Sequence, residues 1–68
     1  MKQGTVKWFD SKKGYGFIEP DGENKDVFVH VTKLEEIGIN RLIEGQRVSF
    51  DIYDDRGRVA AGNINILK

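Results

Sequence analysis

The side chains with most chemistry to offer here are rings rather than acids, bases or metal ligands. Trp8, Tyr15, Phe17, Phe28 and His30 all fall in the first half of the chain, with Lys7, Lys12 and Lys13 set among them. Rings interleaved with lysine suit a single nucleic-acid strand. Its bases offer π-faces for stacking and its backbone offers phosphates to cations. Other chemistries find less support. With one histidine and no cysteine, no His/Cys metal site and no thiolate nucleophile can be assembled. No acid/base constellation stands out, so no catalysis, cofactor, metal or small-molecule substrate is expected.

Rings serve as platforms only if the backbone carries them to the surface. Five strand-like runs, about 3–10, 15–20, 26–31, 46–53 and 59–67, are rich in β-branched and aromatic residues and have period-2 character. Turn chemistry separates them: Lys12-Lys13-Gly14, Pro20-Asp21-Gly22, Glu44-Gly45, and a hairpin tip at Asp54-Asp55-Arg56-Gly57. Residues 32–44 differ. Thr32-Lys33-Leu34-Glu35 reads as a capping box for one short helical turn ended by Gly38. Leu34, Ile37, Ile39, Leu42 and Ile43 could pin the rest of that long connection. Five short strands without two packing helices predict an all-β fold: a small antiparallel barrel, whose closure removes exposed sheet edges.

Successive side chains of a strand point to opposite faces. In 15–18, Tyr15 and Phe17 alternate with Gly16 and Ile18; in 27–30, Val27 and Val29 alternate with Phe28 and His30. Only one set can face the core. The valines belong with the aliphatics Val6, Ile18, Val48 and Ile52. The outer face then bears Tyr15, Phe17, Phe28 and His30, with Trp8 joining them from the first strand. Phe9 is expected to be partly buried. Contiguous apolar surface is uncommon on soluble monomers unless it binds something. The rim of this one is basic, with Lys7, Lys12 and Lys13 and, from the hairpin, Arg56 and Arg58. Alternate residues on a strand lie about 6.6 Å apart and neighbouring strands about 4.8 Å apart. Each ring can therefore serve a separate, splayed base, which a duplex does not present without melting.

Composition sets the limits. At 68 residues the chain, 1–68, is one domain, with a core small enough that about 60% of the unfolded surface is buried. Stability of about 3–10 kcal/mol is expected. Eleven Lys+Arg balance eleven Asp+Glu, so binding must rest on local charge placement and stacking rather than on a long-range field. The N-terminal Met1-Lys2-Gln3-Gly4-Thr5 has no apolar signal region, and no run approaches the length of a membrane span. A soluble, cytoplasmic monomer without membrane association is expected.

Lys13-Gly14-Tyr15-Gly16-Phe17-Ile18 and Val27-Phe28-Val29-His30 resemble the two ribonucleoprotein-type motifs of the cold-shock domain. Gly4-Thr5-Val6-Lys7-Trp8-Phe9 looks like that family's first strand, and Leu42 to Phe50 like its loop and fourth strand. The resemblance covers nearly the whole chain. It implies a five-stranded antiparallel barrel of the oligonucleotide-binding (OB) type. It also implies binding of single-stranded RNA and DNA with a pyrimidine-rich preference, and RNA chaperone activity that opens structure hindering translation or transcription. By position, the family's binding residues fall on Lys7, Trp8, Lys13, Tyr15, Phe17, Asp26, Phe28 and His30. Asp26 would accept hydrogen bonds from a base edge. Val31 and Ile39 stand where the family usually has rings, which implies a shorter site or weaker binding. The tip Arg56-Gly57-Arg58 replaces a common Gly-Pro.

Blander roles stand beside these. His30 can be an ordinary surface histidine, the lysines solvated charges, Gly14 and Gly16 bends in the barrel, and Asp26 a turn stabiliser. A protein-interaction barrel using the same rings would leave Trp8 fluorescence unchanged on addition of oligo-dT or oligo-U.

Overall fold

The computed structural model describes residues 1–67. They form β1 (Lys2–Asp10), β2 (Tyr15–Pro20), β3 (Val27–His30), a short helix α1 (Val31–Glu35), β4 (Arg47–Asp55) and β5 (Arg58–Ile66). The strands close into a barrel in the order β1-β2-β3-β5-β4, with β4 returning to β1 through Lys2↔Phe50 to Thr5↔Arg47. The all-β OB-type architecture expected from the strand pattern is present, with one correction. The pairing of β3 with β5, at Phe28↔Ala60, is parallel. The cause is arithmetic: strand directions that alternate around a ring of five cannot close without one like-directed pair.

Apart from Phe50, the interior is aliphatic. Val6, Ile18, Val27, Val29, Val48, Phe50, Ala61 and Ile64 come from the strands, and Leu34 and Leu42 from the long connection. Ile18, Val29, Leu34, Val48 and Phe50 are fully buried. Phe9 is half-buried against this cluster. The connection is pinned by fewer residues than its composition suggests, because Ile37 and Ile43 are exposed.

Ile52 is a second correction: it is 39% exposed. β1 pairs with β4 only as far as Phe50. The β4–β5 hairpin therefore runs on past the wall that would have enclosed Ile52. At its tip, Arg56 (φ 56°) and Gly57 (φ 86°) both take the left-handed conformation that a two-residue hairpin turn with the strands' own twist requires. Asp54 accepts the Gly57 N–H at 2.7 Å.

The helical turn starts earlier than Thr32. Its N-cap is His30, whose side chain accepts the Thr32 N–H, so the expected Thr32–Glu35 capping box does not form. The strand before it is accordingly 27–30 rather than 26–31. The turn ends near Gly38, whose N–H donates to the Glu35 carbonyl, while that of Ile39 reaches back to Leu34.

Candidate nucleic-acid interface

The first ring is placed by an irregularity. Val6 is 1% exposed and points inward, so strict alternation would also send Trp8 inward. The β1–β2 register jumps from Val6↔Ile18 to Trp8↔Phe17. Lys7 is thus an extra residue in β1, and such a bulge shifts all later side chains to the opposite face. Trp8 emerges beside Phe17, while Phe9 turns toward the core. Gly16, opposite Phe9, allows the strands to approach this closely. A Cβ there would collide with the Trp8 carbonyl oxygen and sit 2.7 Å from the Phe9 Cα.

The remaining rings follow from the β2–β3 register, Tyr15↔His30 and Phe17↔Phe28, which puts all four on one side of the sheet. Ring centroids are 5.3 Å apart for Trp8–Phe17, 5.7 Å for Trp8–Tyr15, 5.7 Å for Tyr15–Phe28, 5.9 Å for Phe17–Phe28 and 6.2 Å for Phe28–His30. These separations are those of edge-to-face and tilted aromatic contacts, so the rings form one continuous patch. Trp8 is 39% exposed, and Tyr15 and Phe17 are half-buried.

Phe28 corrects the picture of an open platform. It faces outward and is absent from the core cluster that holds Val27 and Val29, yet only 6% of its surface is accessible. It sits in the middle of the patch, and the Arg58 guanidinium lies 3.9 Å from its ring centroid, a cation–π contact. Arg58 also approaches Asp55 at 4.0 Å.

The polar candidates divide. Lys7 Nζ donates to Asp26 Oδ2 at 3.0 Å, so two expected ligand contacts are here each other's partner. Asp26 lies just before β3. Lys13 is exposed, in a turn held by Asp10, whose Oδ1 accepts the Lys12 and Lys13 N–H groups at 2.9 and 3.1 Å. Among the described residues, Lys12, Lys13 and Arg56 have no carboxylate within ion-pair distance. Arg56 sits at the hairpin tip, one residue from Arg58. His30 is exposed. Its Nδ1 is engaged by the Thr32 N–H at 3.2 Å and lies 3.0 Å from Thr32 Oγ1, which leaves Nε2 for a ligand. Val31 is half-buried at the start of α1, and Ile39 packs against the core. Neither contributes a ring.

The outer face extends further than the sequence reading carried it. Phe28 pairs with Ala60, and Ala60 with Tyr53. Tyr53 was legible in principle: the alternation that sends Val48 and Phe50 inward sends Tyr53 outward.

The sequence matches the 'Cold-shock' DNA-binding domain over residues 2–67. The chain belongs to the cold-shock domain family. Among its relatives, Cold shock protein CspA of Staphylococcus aureus (strain USA300) is 54% identical, covering 100% of this chain and 98% of its own. Cold shock protein CspA of Rhizobium meliloti (strain 1021) is 50% identical over 94% of this chain and 96% of its own. A probable cold shock protein, y4cH, of Sinorhizobium fredii is 46% identical with the same coverage. Cold-shock domains are a nucleic-acid-binding family, and the ring patch is the part of this barrel whose chemistry suits that ligand. Among the described residues no helix is long and apolar enough to cross a membrane.

Proposed function

We propose that this cold-shock domain binds single-stranded RNA and DNA in the cytoplasm as a monomer, and acts without catalysis as an RNA chaperone. The observation that carries this reading is the continuous outward patch of Trp8, Tyr15, Phe17 and Phe28 on strands whose other side is a closed hydrophobic core. Bases that stack on these rings cannot stack on or pair with each other, so open RNA conformers bind and closed ones do not. Binding then shifts the population toward open states without ATP. Stacking contributes about 1–3 kcal/mol per base and tolerates any base. Pyrimidine-rich strands are favoured because they give up less base–base stacking when splayed.

The residues divide the work. Trp8, Tyr15, Phe17 and Phe28 stack, and His30 Nε2 meets a base edge or stacks at the end of the row. Lys13, Arg56 and Arg58 meet phosphates. Lys7 and Asp26 separate from each other on binding, Lys7 toward phosphate and Asp26 toward a base amino group. Arg58 must leave the face of Phe28 before a base can use it, and the backbone phosphate of the incoming strand is its new partner.

The test is an RNA hairpin carrying a fluorophore and a quencher on its two ends, mixed with protein and no nucleotide triphosphate. Fluorescence should rise with protein concentration and fall back when excess oligo-U is added. An unchanged signal at saturating protein would overturn the chaperone reading. A stronger response with oligo-dA than with oligo-dT as competitor would overturn the pyrimidine preference.

A further inference from the structure

Two rings on the outer face are each covered by a cation of the chain itself. Arg58 lies over Phe28 at 3.9 Å, and Lys33 Nζ lies 5.1 Å from the centroid of Tyr53. The register places both rings on one side of the sheet, because Phe28 pairs with Ala60 and Ala60 with Tyr53. The sheet between them carries little side chain of its own but is covered in the free protein, with Ala60 1% exposed and Gly62 buried. Ala60 contributes a single methyl. Gly62 contributes none, and the edge of the Tyr53 ring runs 3.4 Å from where a Gly62 Cβ would stand. Tyr53 is half-buried and lies outside the core cluster, so packing the interior does not account for a ring at this position.

We infer that the single-strand binding face continues past Phe28, across β5, to a further base-stacking platform at Tyr53. In this inference Lys33 and Arg58 are the phosphate partners of that added segment. It rests on the proposed single-strand binding and lengthens its footprint. The occupant is a nucleic-acid strand because the sheet runs on unbroken from the Trp8–Phe28 patch through Ala60 to Tyr53 and repeats its chemistry of ring plus cation. Tyr53 and Phe28 stand two strand spacings apart, about 9.6 Å. Stacked bases, about 3.4 Å apart along one strand, cannot match that interval, whereas a splayed strand can. On binding, each cation exchanges a ring face for a phosphate and each ring exchanges a cation for a base. This added platform lies on the side of the patch opposite Trp8 and supplies a ring where Val31 and Ile39 supply none.

Length dependence tests the inference. Trp8 fluorescence is titrated with oligo-dT of about four and about eight nucleotides, within the range one OB barrel covers, for the unsubstituted protein, Tyr53→Ala and Tyr53→Phe. Tyr53→Ala should weaken binding of the longer strand by about five- to a hundredfold and leave the shorter one unchanged. Tyr53→Phe should retain both affinities, and thermal unfolding should show the variants folded. Equal losses at both lengths, or none at either, overturn the extension while leaving the underlying single-strand binding intact. Failure of the unsubstituted protein to bind either length overturns that reading, and this one with it.

Discussion

β2 and β3 present two surfaces built from alternate residues of the same strands. On the inner side Ile18, Val27 and Val29 are at most 2% exposed and finish their packing within the chain. On the outer side Tyr15, Phe17 and Phe28 pack against Trp8, His30 and each other, and part of their surface stays open or is held by Arg58. The inner set gains its full burial on folding, so changes there should cost stability. On the proposed function the outer set completes its desolvation when a strand binds, so changes there should cost affinity. Aliphatic residues suit the first task because they fill space and carry no polar atoms. Rings suit the second because they offer flat faces that any base can match.

The largest expected effect breaks the inner side. Phe50 is fully buried, and Phe50→Ala should cost about 3–5 kcal/mol. Against a total of about 3–10 kcal/mol for a chain this size, much of the population would unfold, which urea titration followed by Trp8 fluorescence would show. On the outer side, Phe17→Ala should weaken oligo-dT binding by about 1–3 kcal/mol while the urea midpoint moves far less than for Phe50→Ala. A variant that loses more stability than affinity would erase the distinction between the two faces.

Arg58→Ala sharpens the comparison, since Arg58 is the cover over Phe28. Removing it frees a ring and removes a proposed phosphate partner. The two effects should leave affinity within about tenfold of the unsubstituted protein at physiological salt, while the slope of log K against log salt becomes shallower by about 0.7. An unchanged slope would mean that Arg58 never reaches a phosphate.

The smallest effect lies away from both faces. Arg47 donates to Asp21 through two parallel hydrogen bonds at 2.7 and 2.6 Å. These bonds, helped by the charge of Arg47 and opposed by desolvation, hold the Asp21 carboxyl below its usual range. A carboxyl whose folded-state pKa is depressed lends stability above its unfolded pKa of about 3.9, and that stability is lost as pH falls through the folded value. Both side chains are largely open to solvent, at 42% and 55% exposure, so screening keeps the contribution small. Asp21→Asn should lower the thermal midpoint slightly at pH 7, and the gap to the unsubstituted protein should close in acid. A gap that widened in acid would contradict the assignment.

Period-2 alternation made much of this legible in the sequence. Val27 and Val29 against Phe28 fixed which side of β3 faces the core, and the turn residues marked all five strands to within two residues at every boundary. What failed were features that depend on partners distant in sequence. Ile52 continues the apolar alternation of Val48 and Phe50, but β1 ends its pairing at Phe50 and leaves Ile52 uncovered. The Lys7 bulge cannot be read from β1 alone, because the register jump exists only against β2. The Thr32–Glu35 motif fails for a local reason instead: the end of β3 places His30 two residues before Thr32, where its side chain takes the Thr32 N–H and caps the turn. The motif positions of Lys7 and Asp26 do not show that the two pair with each other in the free chain. Their pairing depends on a contact nineteen positions apart.

The central claim is that the outward rings bind bases that are not paired. The most direct test is titration of Trp8 fluorescence with oligo-dT and with a duplex of equal length, each at two salt concentrations. Oligo-dT should quench Trp8 to saturation with a log–log salt slope of about −3, as phosphate contacts from Lys7, Lys13, Arg56 and Arg58 give on a single strand, and the duplex should bind far more weakly. Equal binding of duplex and single strand, or a slope steeper than about −5, would mean that charge rather than stacking holds the ligand and would contradict the account.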